Sequence, residues 1–158
     1  MKEKGLSLRE ALNGDRLVSA PYKLEFLVEK DSQVLCRKKL TREEVSLFRS
    51  VIAKDFYYEM YFDDLPIWGF IGRTGRQQGP DTNELRYFIM NNIQFEIHYN
   101  EDRVIKVSIL AFMIDNIDIT ENMEVEIEFI YSVIWKKTNT TFEKRMDTYK
   151  FSSLLSYH

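Results

Sequence analysis

Glu124-Val-Glu-Ile-Glu-Phe-Ile-Tyr-Ser-Val-Ile-Trp135 repeats with a period of two. Val125, Ile127, Phe129, Tyr131, Val133 and Trp135 fall on one side, and Glu124, Glu126 and Glu128 on the other. Successive side chains of a strand point to opposite faces, whereas a helix would scatter these residues around its circumference. The stretch is therefore a strand with one face turned to a core. Beyond Phe129 the outer face also turns apolar, through Ile130 and Ile134, which predicts cover on both sides at that end.

The same period recurs outward from this strand. Ile93, Phe95, Ile97 and Tyr99 alternate with Gln94, Glu96 and His98; Asn100-Glu101-Asp102 turns the chain, and Val104 to Phe112 leads back. Leu85 to Met90 is a further strand. Near the start, Tyr22, Leu24, Phe26 and Val28 alternate with charged residues, Asp31-Ser32 punctuates, and Gln33 to Leu40 reads as the return arm of a hairpin. Phe56 to Phe62 is an aromatic strand, and Pro66 is expected to break it because proline lacks a ladder donor. Ile67-Trp68-Gly69-Phe70-Ile71 is a short apolar segment. Arg73 to Glu84, with Gly75, Gly79 and Pro80, reads as the longest loop.

One segment departs from this period. Thr41-Arg42-Glu43-Glu44 has the form of a capping box, in which the Thr41 hydroxyl accepts from the Glu44 amide and Glu44 reaches back. Leu40 and Val45 fit a hydrophobic staple around it. Val45, Phe48, Val51 or Ile52, and Phe56 then recur at helical spacing. The reading is an all-β chain, an antiparallel β-sandwich with one amphipathic helix inserted at about 42–55. Residues 1–158 form a single domain, with 1–20 peripheral or partly disordered and a short amphipathic helix among Leu6, Leu8 and Leu12.

Composition narrows the function. A net charge of −3, with no dense stripe of Lys and Arg, disfavours nucleic acid, whose phosphates need a basic face. No run approaches the roughly 20 apolar residues of a membrane span, and no signal peptide is visible. The single cysteine, Cys36, cannot close a disulfide within the chain.

The candidate chemistry is sparse. Asp63 and Asp64 are adjacent, so on a strand they would point apart, and beside a proline they read as a solvated turn. His98 has no metal-ligand or base partner by spacing, and His158 ends the sequence. Gly69, Gly72 and Gly75 match no phosphate-binding pattern, although Arg73 and Arg76 nearby could meet an acidic partner. Asp115, Asp118 and Glu121 lack the central glycine and ligand count of a calcium loop. Asn139-Thr140-Thr141 is an acceptor sequon for N-glycosylation. No catalytic residue, metal or cofactor is predicted, so the expected role is binding or structural, not enzymatic.

Several blocks of the sequence resemble a known family. Phe56-Tyr-Tyr-Glu-Met-Tyr-Phe-Asp-Asp-Leu-Pro-Ile-Trp-Gly-Phe-Ile-Gly72 is similar to the nonaspanins, the transmembrane-9 superfamily. So are Asn13-Gly-Asp-Arg16 with Pro21-Tyr22, Val34-Leu-Cys36, Tyr99-Asn-Glu-Asp-Arg-Val-Ile105, Tyr131-Ser-Val-Ile-Trp-Lys136 and Phe142-Glu-Lys-Arg-Met-Asp147. The resemblance implies an N-terminal, non-enzymatic lumenal head of a multi-spanning Golgi or endosome protein, one involved in sorting or surface delivery of membrane proteins. It implies as partners membrane-protein cargo and the family's own transmembrane domain, with no nucleic acid and no small-molecule substrate. Against that family, the signal sequence and an upstream cysteine-containing segment, the expected partner of Cys36, are missing. The chain also stops where the family runs on into its first span. Ile67, Trp68, Phe70, Ile71, Arg73, Ile130 and Ile134 are the expected interface. The alternative is a free-standing soluble module that binds carbohydrate or peptide through the loop at 73–84.

Overall fold

In the computed structural model, residues 22–79, 82–111 and 116–147 are described. Among the described residues the main elements are, in order, β1 (Lys30–Leu40), α1 (Arg42–Ala53), β2 (Tyr57–Phe62), β3 (Leu65–Phe70), β4 (Gly72–Gly79), β5 (Thr82–Ile89), β6 (Asn92–Asn100), β7 (Arg103–Ala111), β8 (Ile117–Asp118) and β9 (Val125–Lys137). The expected all-β class is what the described residues form. The segment 1–20 and its short helix lie outside them.

The helix forms where its cap is written. The Glu44 amide donates to the Thr41 hydroxyl at 3.2 Å, and the Thr41 amide donates to the Glu44 carboxylate at 3.1 Å. Two otherwise orphaned donors of the first turn are satisfied in this way. Val45, Val51 and Ile52 are buried on its inner face.

The central sheet has the order β1-β9-β6-β7. Most of its pairings are antiparallel, but β6 and β9 run parallel, with Phe95 opposite Val133 and Ile97 opposite Trp135. Alternation fixes which side of a strand is buried and is blind to its direction. The expected wholly antiparallel arrangement is corrected on this point.

One face of this sheet carries two cores. The first gathers Phe95 and Ile97 of β6, Val104 and Val107 of β7, and Tyr131 and Val133 of β9 under Leu65 and Ile67 of β3. The second joins Leu40 and Ile127 to Val45 and Ile52 of α1, and to Ile89 and Ile119 from the three-stranded sheet β4-β5-β8. The covering layer is thus two small sheets and a helix in place of the single facing sheet of a sandwich. Ile130 and Ile134 lie on the opposite face beside Asn92 and Glu96, half-buried and not enclosed.

Three further expectations change. Residues 22–29 form no strand and end in a turn at Phe26-Leu27; the strand starts at Lys30 and runs through Asp31-Ser32 by a register shift. It pairs with β9, so no hairpin forms there. Tyr22 and Leu24 nevertheless pack on the first core, and Phe26 meets Trp135 and Tyr99 edge to face. Pro66 lies inside β3 instead of breaking it. The two-residue turn Asp63-Asp64 makes Phe62–Leu65 the closing hydrogen-bonded pair, so the Pro66 nitrogen at the next pair faces the free edge, where no donor is needed. Arg73 to Glu84 is no loop: β4 and β5 pair continuously from Gly72–Ile89 to Gly79–Thr82.

Candidate functional site

The block from Tyr57 to Phe70 folds into the hairpin β2–β3. Asp63 and Asp64 both hold positive φ, 49° and 62°, the pattern of a tight primed turn whose twist suits the strands it joins. Asp adopts this left-handed region more readily than most residues. In the register, Tyr57 faces Phe70, Glu59 faces Trp68 and Tyr61 faces Pro66. Met60, Phe62, Leu65 and Ile67 point to the first core.

Gly69 belongs to that inner face. A Cβ placed there would lie 2.4 Å from the Tyr58 hydroxyl, so only glycine lets the Tyr58 ring lie across the backbone. Burial there pushes the Tyr58 hydroxyl well above its ordinary value, as it pushes that of Tyr22, with help from nearby Cys36 and Tyr131, up to about 12.

The outer face of the same hairpin is aromatic and open. Tyr57 is 53% exposed, Tyr61 58%, Trp68 40% and Phe70 54%. Glu59 stands among them and accepts a hydrogen bond from the Tyr61 hydroxyl at 3.0 Å, and this bond raises the Tyr61 pKa. Exposed aromatic clusters of this kind are what interaction surfaces are built from.

The hairpin is also fastened to the segment that follows the last strand. Arg145, 8% exposed, donates from Nη1 to Asp63 Oδ2 at 2.9 Å and to the Val104 carbonyl at 3.0 Å. Its guanidinium lies 4.1 Å from the centre of the Phe142 ring, and that of Arg103 lies 4.5 Å from it. The hairpin turn and the segment Phe142–Asp147, two of the blocks quoted for the resemblance, thus meet in space.

The expected interface set divides. Trp68 and Phe70 stand on the aromatic face. Ile67, 2% exposed, belongs to the core and is corrected. Ile71 packs on the second core, and Arg73 stacks on Phe88 while donating to Asn116 Oδ1 at 3.1 Å. Ile130 and Ile134 occupy the far face of the central sheet. Asn139 is exposed between β9 and the 3-10 turn Phe142–Lys144, and Cys36 is an exposed free thiol on edge strand β1.

Two further acids are engaged locally, Glu96 and Asp118. His98 and Lys136 each stand 3.0 Å from Glu96 Oε1, and their hydrogen bonds hold that carboxyl below its usual range. At Asp118 burial works upward, but bonds from Thr120 and Arg86 outweigh it and the net shift is downward. Asp118 is thus tied to Arg86, and Asp115 lies outside the described residues. Among the described residues no group of three or more His, Cys, Asp or Glu could hold a metal ion.

Sequence reasoning missed Tyr57, Glu59 and Tyr61 as surface residues, and missed the Asp63–Arg145 contact. In Tyr57-Tyr-Glu-Met-Tyr-Phe62 both alternate sets carry aromatic rings, and the one signal that could have marked the outward set is the charge of Glu59.

The described residues thus form an all-β fold with an exposed aromatic face. The chain belongs to the Endomembrane protein 70 family, whose profile matches residues 1–157. It is 55% identical over 158 residues to Transmembrane 9 superfamily member 3 of Arabidopsis thaliana, covering 100% of this chain and 27% of that protein. It is 35% identical to Putative phagocytic receptor 1b of Dictyostelium discoideum, over 98% of this chain and 26% of that protein. To Transmembrane 9 superfamily member 1 of Bos taurus it is 29% identical, over 93% of this chain and 24% of that protein. The chain therefore spans about a quarter of the length of these relatives. Their names are those of transmembrane proteins and a receptor, with no enzyme among them. No described helix is long and apolar enough to cross a membrane. No solved structure matches the chain.

Proposed function

We propose that this chain acts as the non-catalytic, lumenal head of a multi-spanning Golgi or endosome membrane protein that takes part in sorting or surface delivery of other membrane proteins. The observation that carries this reading is the end-to-end match to transmembrane proteins of which the chain makes up 27%. The name of the Dictyostelium relative, a phagocytic receptor, agrees with a role in membrane-protein traffic. The aromatic face of β2–β3 supplies a contact surface for that role. The partners of this role are membrane-protein cargo and the membrane-spanning part of the family, and it requires no cofactor.

Asn139 offers the test, because it is exposed and carries an acceptor sequon. When the full-length gene product is expressed in cells, glycosidase treatment should shift its mobility, and Asn139→Gln should abolish the shift. A protein that gains no glycan even when a second sequon is placed on the exposed β6–β7 turn, at Glu101–Arg103, would place the domain on the cytosolic side and end this reading.

A further inference from the structure

We infer that the outer face of the β2–β3 hairpin binds the choline headgroups of a lipid bilayer. Among the described residues, that face carries one charge, the Glu59 carboxylate. Trp68 lies directly across the ladder from it, Tyr57 and Tyr61 lie two residues to either side along β2, and Pro66 and Phe70 fill the diagonals. Aromatic faces attract cations through the negative face of the ring. Quaternary ammonium groups use this attraction most, since they have no N–H with which to bond elsewhere. A carboxylate framed by aromatic rings is complementary in charge and chemistry to that cation.

A phosphatidylcholine surface presents a dense layer of such groups above an apolar interior. Trp and Tyr are the side chains that favour this layer, with the ring toward hydrocarbon and the polar edge toward water. Neither β2 nor β3 contributes a Lys or Arg, the residues that bind anionic lipids, to this face. In one respect the inference rests on the proposed role: a chain that is part of a membrane protein is held close to a bilayer, and tethering raises the local concentration of a partner, so a weak contact suffices.

Co-sedimentation of the 158-residue chain with vesicles tests this. Vesicles of phosphatidylcholine should retain the protein better than vesicles of phosphatidylethanolamine, whose headgroup is a hydrated primary ammonium, or of anionic phosphatidylglycerol. The double variant Trp68→Ala with Phe70→Ala should lower partitioning about tenfold or more. Glu59→Gln should weaken retention by phosphatidylcholine, while the rings keep the order of choline over ethanolamine. All three side chains are on the outer face, and unchanged melting curves will verify that the variants fold.

Equal retention by the three lipids, no retention by phosphatidylcholine, or variants that partition like the parent would each overturn the inference. So would capture of a Lys-rich peptide by this face with vesicles left unbound, because the occupant would then be a protein segment. A cytosolic result in the glycosylation test together with choline-selective binding would remove only the proposed role. Lumenal glycosylation without vesicle binding would remove only this inference.

Discussion

The outer face of the central sheet and the outer face of the β2–β3 hairpin follow the same two-residue alternation over cores of similar character, yet they end differently. On the central sheet the outward positions hold Glu96 with His98 and Lys136, Arg37 with Glu128, and Lys39 beside Glu124. On the hairpin they hold Tyr57, Tyr61, Trp68 and Phe70 around one acid. Apolar atoms scattered over a surface need no explanation, whereas aromatics gathered on one face do. The first face is finished by its own charges in water. The second leaves much of its ring area exposed.

The sharpest test of that contrast pairs an inward ring with an outward one. Phe95 is fully buried between Tyr22 and Tyr131, with ring centroids 5.0 and 6.3 Å away. Phe95→Ala removes its packing and leaves a cavity, and should cost about 3–5 kcal/mol of unfolding free energy in urea. Trp68→Ser on the outer hairpin face should change stability by less than about 0.5 kcal/mol. A Trp68 variant as unstable as the Phe95 variant would mean that the outer face is structural, and the comparison would collapse.

Next in size is the latch between the hairpin and the final segment. Arg145→Ala leaves the Val104 carbonyl without its donor, removes the partner of Asp63 and takes a cation from the Phe142 ring. An unsatisfied buried acceptor costs about 1–3 kcal/mol, while half-exposed Asp63 returns to water cheaply. A loss of about 2 kcal/mol is expected. Asp63→Ala should cost less than Arg145→Ala, because Arg145 keeps its bond to Val104. Thermal melts of both single variants and the double variant form a cycle. Full additivity would show that the two residues do not act together.

How much of this was legible depended on whether a residue's partner was near in sequence. The capping box of α1 is local, so Thr41 and Glu44 predicted a helix that begins where it should. The strands β6, β7 and β9 carry strong apolar alternation, and their inward faces were readable. The parallel pairing of β6 with β9 was not, because alternation has no direction. Gly72-Arg-Thr-Gly-Arg-Gln-Gln-Gly79 has no apolar stripe and reads as loop, yet it pairs along its length with β5, and Arg73 stacks on Phe88 across the ladder. The resemblance pointed to the block containing Trp68 and Phe70 but could not separate them from Ile67, two positions from Gly69 on the inner face. Arg145 reaches Asp63 across a separation of 82 residues, and no spacing rule foresees such a contact.

The smallest effect belongs to the water-facing sheet, and its pH dependence tests whether those charges complete that surface. Hydrogen bonds from His98 and Lys136 lower the Glu96 pKa in the folded protein. Between that lowered value and the ordinary glutamate value of about 4.3, the unfolded chain binds more protons than the folded one, so stability rises with pH across that window. The contribution is fully present above the ordinary value and disappears as pH falls through the folded one. Glu96→Gln should therefore be less stable than the parent at pH 7, by at most about 1 kcal/mol for a partly solvated cluster, and the two urea curves should converge in acid. A constant gap at every pH would mean that Glu96 acts through shape rather than charge. The polar face would then owe its finish to packing, as the hairpin's inner face does.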